Sequence, residues 1–195
     1  MIRPLNIQEL FRLAEKMDEA AELIKGKDVI LLLGGTGAGK STTIHFLEGS
    51  KLIETKVKGM YHIHPVEIKN EELKRITTTP FARSETRFIT SVTVNHKDVG
   101  DPTNDSFVLC DSPGFEDTSG PEVDIANGFG IVKAIKGSKI VKSVILISYR
   151  GMGDRLGGVK DLTRTLVGLI PGMEDHLNTF SYIFTKFPAS ENDTI

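Results

Sequence analysis

Apolar residues recur at helical spacing over residues 7–25: Leu10, Leu13, Met17, Ala20, Ala21 and Ile24, with Glu and Lys between them. That period predicts an amphipathic helix that covers a sheet or tethers a neighbouring domain. Residues 29–33 are continuously aliphatic, the pattern of a strand buried on both faces. Glycines punctuate residues 34–39, and residues 40–47 then read as a helix that ends near Gly49. The pattern weakens between 50 and 85. Residues 61–66 suggest a short strand, and Asn70 is placed to cap a short helix through Arg75. Alternation predicts a strand over 91–95, followed by a turn-rich insertion at 100–104. Residues 107–110 form the next buried run and deliver Asp111.

Further along, Ser119 and Glu122 have capping-box spacing. The helix they would start carries Ile125, Phe129, Val132 and Ile135 on one face. Residues 143–149 read as a buried strand. A helix over 157–170 turns Val159, Leu162, Leu166 and Leu169 inward and stops at Pro171, and 180–185 is the last strand. Strands alternating with helices predict an α/β fold with a mainly parallel sheet. Residues 1–27 are assigned to the N-terminal helix and 28–195 to one domain. The polar tail that closely follows the last strand suggests a chain cut from a longer protein, with part of the site beyond residue 195.

Composition narrows the class. The chain has 195 residues, of which 39% are hydrophobic, enough for one domain with a sizeable core. A net charge of −2 gives no electrostatic reason to expect a nucleic-acid partner. Cys110 is the only cysteine and lies in an apolar run, which excludes a disulfide framework and fits a reducing compartment. No leading stretch has signal-peptide character, and no run is long enough to span a bilayer. A soluble, cytoplasmic protein without a transmembrane segment is expected.

The chemistry concentrates in two loops. Gly34-Gly35-Thr36-Gly37-Ala38-Gly39-Lys40-Ser41 matches the Walker A phosphate-binding loop, set between a buried strand and a helix as that motif requires. In such a loop, backbone N–H groups and the helix N-terminus face an anion, and Gly34 and Gly39 permit the tight turns. Lys40 is expected to reach the β- and γ-phosphates, and the Ser41 hydroxyl to ligate Mg²⁺. The second loop is Asp111-Ser112-Pro113-Gly114-Phe115. Asp111, at the tip of a buried strand, is placed to hold Mg²⁺ through a water, and Gly114 to contact the γ-phosphate through its N–H.

Together, GGTGAGKST and DSPGFED resemble the TRAFAC GTPases, closest to the septin-like and immunity-associated branch, over about residues 28–187. The resemblance implies the P-loop NTPase three-layer sandwich, with helices on both faces of a mainly parallel sheet. It implies GTP/GDP as ligand with Mg²⁺, ATP/ADP being less favoured, and adds Thr42 to the nucleotide contacts. A switch threonine is expected to join Ser41 and Asp111 at the metal. Thr86, in Ser84-Glu85-Thr86-Arg87, is the first choice, ahead of Thr90 and Thr77 to Thr79. Thr185-Lys186 matches the start of the family's base-reading motif.

Two positions depart from the family. Pro188 stands where an Asp would accept from the guanine edge, so Glu191 or Asp193, Lys186 alone, or weak base selection remain open. Phe115 occupies the place of the water-positioning Gln, leaving Glu116 as the nearest polar alternative, with Arg83, Arg87, Arg150 and Arg155 as sources of positive charge. Slow hydrolysis is therefore expected unless a partner completes the site. Three readings stand: a Mg²⁺-dependent GTPase switch, a nucleotide-controlled module for dimerisation or effector binding, and an ATP-directed P-loop protein. His62 and His64 share a strand face but have no third ligand near, so two surface histidines are the expectation.

Overall fold

The computed structural model describes residues 4–79, 88–100, 102–115, 120–170 and 172–188. Helix α1 (Ile7–Ile24) starts at Asn6, whose side chain accepts from the Glu9 N–H, and it buries Leu13, Met17, Ala20 and Ile24. Strand β1 (Asp28–Gly34) runs through the glycine loop into α2 (Lys40–Leu47). Then come β2 (Lys51–Val57), β3 (Met60–Glu67), a 3₁₀ turn (Glu71–Arg75), β4 (Thr90–Asn95) and β5 (Ser106–Asp111). Helix α3 (Pro121–Gly137), β6 (Ile140–Ser148), α4 (Gly157–Leu169) and β7 (Ser181–Thr185) complete the chain.

Five strands form one sheet in the order β4-β5-β1-β6-β7. Only β4 is antiparallel to its neighbour. Alternate residues of β1 face opposite layers. Val29, Leu31 and Leu33 join Ala20 and Ile24 of α1, Ile131 and Ala134 of α3, and Leu166 of α4 in one core. Leu32 meets Ile44 of α2, with Leu73, Val92, Val94 and Leu109, on the other side. The result is an α/β fold with a mostly parallel sheet between helical layers, as alternation of strands and helices leads one to expect. None of the helices formed by the described residues is long and apolar enough to cross a membrane.

Three elements differ from their expected form. Residues 51–57 are a strand, and they pair with β3 as a separate hairpin. Its turn, Lys58-Gly59, has φ of 49° and 85°, the left-handed pair that suits a two-residue hairpin. The segment that Asn70 caps is 3₁₀ rather than α-helical. In α3, Ile125 and Phe129 are 51% and 53% exposed, while Val123, Ala126, Gly130, Ile131 and Ala134 are buried. The small residues let α1 approach: a Cβ on Gly130 would lie 2.5 Å from Met17 Sδ. Close helix contact therefore selects the small-residue face over the bulkier one. Glu122 accepts from the backbone N–H of Asn6 and so ties α3 to the start of α1, and Gly120 takes the N-cap position. The expected capping partner, Ser119, lies outside the described residues.

Candidate functional site

The site lies at the carboxyl ends of β1 and β5. Their parallel register sets Leu32 beside Asp111, so the strand tip that carries the carboxylate adjoins the start of the glycine loop. Helix α2 leaves β1 toward one layer and α3 leaves β5 toward the other. That divergence opens a crevice at the strand ends, the usual ligand position in open α/β sheets.

Backbone conformation explains the glycines. Gly34 has φ of 153°, and a Cβ there would stand 2.5 Å from the Leu146 carbonyl oxygen. Gly37 and Gly39 have φ of 76° and 95°, in the region that costs side-chain-bearing residues strain. Around Gly35 and Gly37 the space for a Cβ is open. Gly39 is the N-cap of α2 and offers the first-turn N–H groups no side-chain cap. Lys40 is 6% exposed, and its Nζ donates to the carbonyls of Gly34 at 3.0 Å and Gly35 at 3.1 Å. The ammonium is thus folded back over the loop. Ser41 Oγ donates to Asp111 Oδ2 at 2.6 Å, bringing a hydroxyl and a buried carboxylate together.

The 111–115 loop is clamped to the glycine loop. The Thr36 N–H donates to the Phe115 carbonyl at 3.2 Å, and the Phe115 N–H donates to Gly34 at 3.3 Å. Gly114 faces Thr36 so closely that a Cβ would lie 2.5 Å from Thr36 Cα. Two further side chains hold this loop. Ser112 Oγ donates to the Leu32 carbonyl at 2.6 Å, and Asn127 Nδ2 to that of Pro113 at 3.3 Å. Ser112 lies inside the D-S-P-G run, where its hydroxyl was the available signal. Asn127 comes from α3, and nothing near it in sequence points to the loop.

At the far side, Thr185 Oγ1 donates to the Ala38 carbonyl at 2.8 Å, tying the end of β7 to the glycine loop. Lys186 follows with φ of 60°. Partial enclosure of its ammonium lowers its pKa, and the charge of Arg150 adds to that, although the residue as a whole is exposed. The Phe187 ring packs edge-on to Tyr149, with centroids 5.1 Å apart. A cavity of about 150 Å³ lies behind the glycine loop, between Gly35, Thr36 and Phe115 on one wall and Gly151, Gly158 and Val159 on the other. Lys40 and Ser41 do not line it.

The structure therefore brings together residues 34–41, Asp111, Gly114 and Thr185, with Thr42 in the first turn of α2 and Lys186 at the rim. Thr90 pairs with Asp111 across β4 and β5. Thr86 and Glu116 lie outside the described residues, as do Arg83, Arg87, Glu191 and Asp193. Phe115 is 6% exposed and belongs to the main core, where it packs with β1 and α4 residues. Among the described residues no group of three or more His, Cys, Asp or Glu side chains could hold a metal ion. A Mg²⁺ site of the kind expected here would use one carboxylate, one hydroxyl and phosphate oxygens, which is a different donor set. No family model, curated protein or solved structure matches the chain.

Proposed function

We propose that this chain is a TRAFAC-type, P-loop guanine-nucleotide-binding domain that takes GTP with Mg²⁺ and hydrolyses it slowly. The observation that carries the reading is the 2.6 Å contact between Ser41 and Asp111 at the mouth of a glycine loop that opens a helix. A hydroxyl and a carboxylate are the hard oxygen donors that Mg²⁺ takes alongside phosphate. When bound, Mg²⁺ would neutralise charge on the phosphates. The open space at Gly35 and Gly37 leaves room for an anion against the backbone, and the α2 dipole favours one. Lys40 would exchange the Gly34 and Gly35 carbonyls for phosphate oxygens. Its present contacts hold it over the loop. Gly114, fixed against Thr36, would present its N–H near the terminal phosphate and so respond to its loss.

Burial of Phe115 favours slow turnover. The residue that follows Gly114 packs into the core and has no group to orient water. The same observation supports a second reading, in which nucleotide mainly controls assembly with another copy or an effector. Phosphate release from purified protein with GTP or ATP tests the catalytic claim. Mg²⁺-dependent GTP turnover well below about 1 s⁻¹ is expected, against the common enzyme range above it. Release from ATP alone would overturn the base assignment, and release from neither would leave the assembly reading.

A further inference from the structure

Helices α1 and α3 carry exposed apolar residues that lie outside the core. The two helices run side by side, start to start. Glu122, near the start of α3, accepts from the Asn6 N–H, Gly130 closes on Met17, and Lys133 donates to Asp18. Spacings of four, seven and four put Ile7, Phe11, Asp18 and Glu22 on one stripe of α1, beside its buried residues. Spacings of four, four and three put Ile125, Phe129, Lys133 and Lys136 on one stripe of α3. Asp18 and Lys133 join across the helices, so the two stripes adjoin and form one outward face. Ile7 and Phe11 are 52% and 67% exposed, at least as open as Ile125 and Phe129. The Lys133 ammonium stands 4.7 Å from the Phe129 ring centroid, where the charged part of the face meets the apolar part. Adjoining exposed apolar side chains bordered by charge mark an interaction surface.

We propose that this face pairs with the same face of a second copy of the chain, with α1 of each copy laid across α3 of the other and all four helices parallel. The order of residues along the face carries the choice of occupant. In both stripes the first half is apolar and the second half charged, acidic on α1 (Asp18, Glu22) and basic on α3 (Lys133, Lys136). A two-fold axis along the helices sets apolar half on apolar half. It also sets the acidic residues of one copy on the basic residues of the other, so the patch is complementary to itself, as a closed dimer requires. Antiparallel helices would instead set the charged half of one copy on the apolar half of its partner. Glu22 bonds Lys25 within α1 at 2.8 Å, an exposed pair of the kind that contributes little and can change partner. The pairing does not rest on a bound nucleotide.

Sedimentation equilibrium of the full chain without nucleotide tests this. At about 100 µM chain, wild type is expected to be chiefly dimer, the concentration at which a micromolar interface fills. Phe11→Ser and Phe129→Ser should each raise the dimer Kd about tenfold or more, as loss of a central aromatic does. Both rings are exposed, so neither change opens the core. Phe46→Ser removes an equally exposed ring from α2, in the opposite layer, and should behave as wild type. Glu22→Lys and Lys136→Glu should each weaken association about fivefold, since the two-fold axis repeats the ion pair. Glu22→Lys with Lys136→Glu in one chain should restore it, because the reversed charges meet across the copies. A monomer at every concentration overturns the proposal, and co-sedimentation of that monomer with anionic lipid vesicles would make the face a membrane contact instead. A dimer that survives both phenylalanine changes overturns the choice of face. Weakening that the double reversal leaves unrepaired overturns the parallel arrangement.

Discussion

Gly114 shows how one residue can decide whether the two loops meet. A Cβ there would stand 2.5 Å from Thr36 Cα and 2.6 Å from Thr36 N, and backbone atoms cannot swing aside as a side-chain tip can. Gly114→Ala should cost about 1–3 kcal/mol of stability, the usual penalty of overpacking. It should also weaken triphosphate binding more than diphosphate binding, since the 111–115 loop would move off the glycine loop. Chemical denaturation and nucleotide titration check the two parts separately. Cys110 makes a second residue-scale case. Burial, with the neighbouring Asp111 charge second, pushes its thiol pKa up to about 12. The folded value lies above the unfolded one, so its contribution to stability is complete below pH ~8.5 and is lost as pH rises toward the folded value. Alkylation at pH 8 should be slow for the native protein and fast in denaturant. Rapid native labelling would contradict the burial.

At the scale of elements, legibility in the sequence followed the strength of each local signal. The glycine loop was readable because positive φ and close approach demand glycine at fixed positions, and few other residues meet that demand. Strand β1 was readable because burial on both faces leaves a purely aliphatic run. Strand β2 was missed: its residues are mostly exposed or half-buried, and Lys and Glu interrupt the pattern. The Lys58-Gly59 turn was the available clue. Helix α3 was found but turned to the wrong face, because helical periodicity weighs Ile and Phe above Ala and Gly. What decides the face is the closeness of α1, a tertiary fact. Met17 sits in that contact at 1% exposure. Met17→Ala should therefore cost about 2–5 kcal/mol, read as a lower urea midpoint with an unchanged slope. A cost below 1 kcal/mol would mean that α1 packs loosely.

The whole molecule is organised around one seam. The end of β1, the 111–115 loop and the end of β7 all bond to the glycine loop, so three strands of the sheet converge on residues 34–41. The phosphate half of the candidate site was legible because one short segment supplies nearly all of it. The base half was not: Thr185 and Lys186 match the start of a base-reading motif, but Pro188 stands where its acceptor would be. A ligand held at the seam should stabilise the sheet as a unit. Saturating GDP and Mg²⁺ at a hundredfold excess over Kd would add about 2.7 kcal/mol to the folded state, visible as a raised Tm. Thr185→Ala would reduce the intrinsic stability by about 1 kcal/mol and leave most of that ligand-induced rise in place.

Calorimetric titration of GDP into the protein with Mg²⁺ decides whether residues 34–41, with Asp111, bind a nucleotide. One saturable site per chain that weakens when Mg²⁺ is chelated is expected. Lys40→Ala should reduce the affinity by about a hundredfold, as loss of charge-assisted bonds to phosphate implies. Absence of heat with both GDP and ADP, or affinity that Lys40→Ala leaves unchanged, would contradict it.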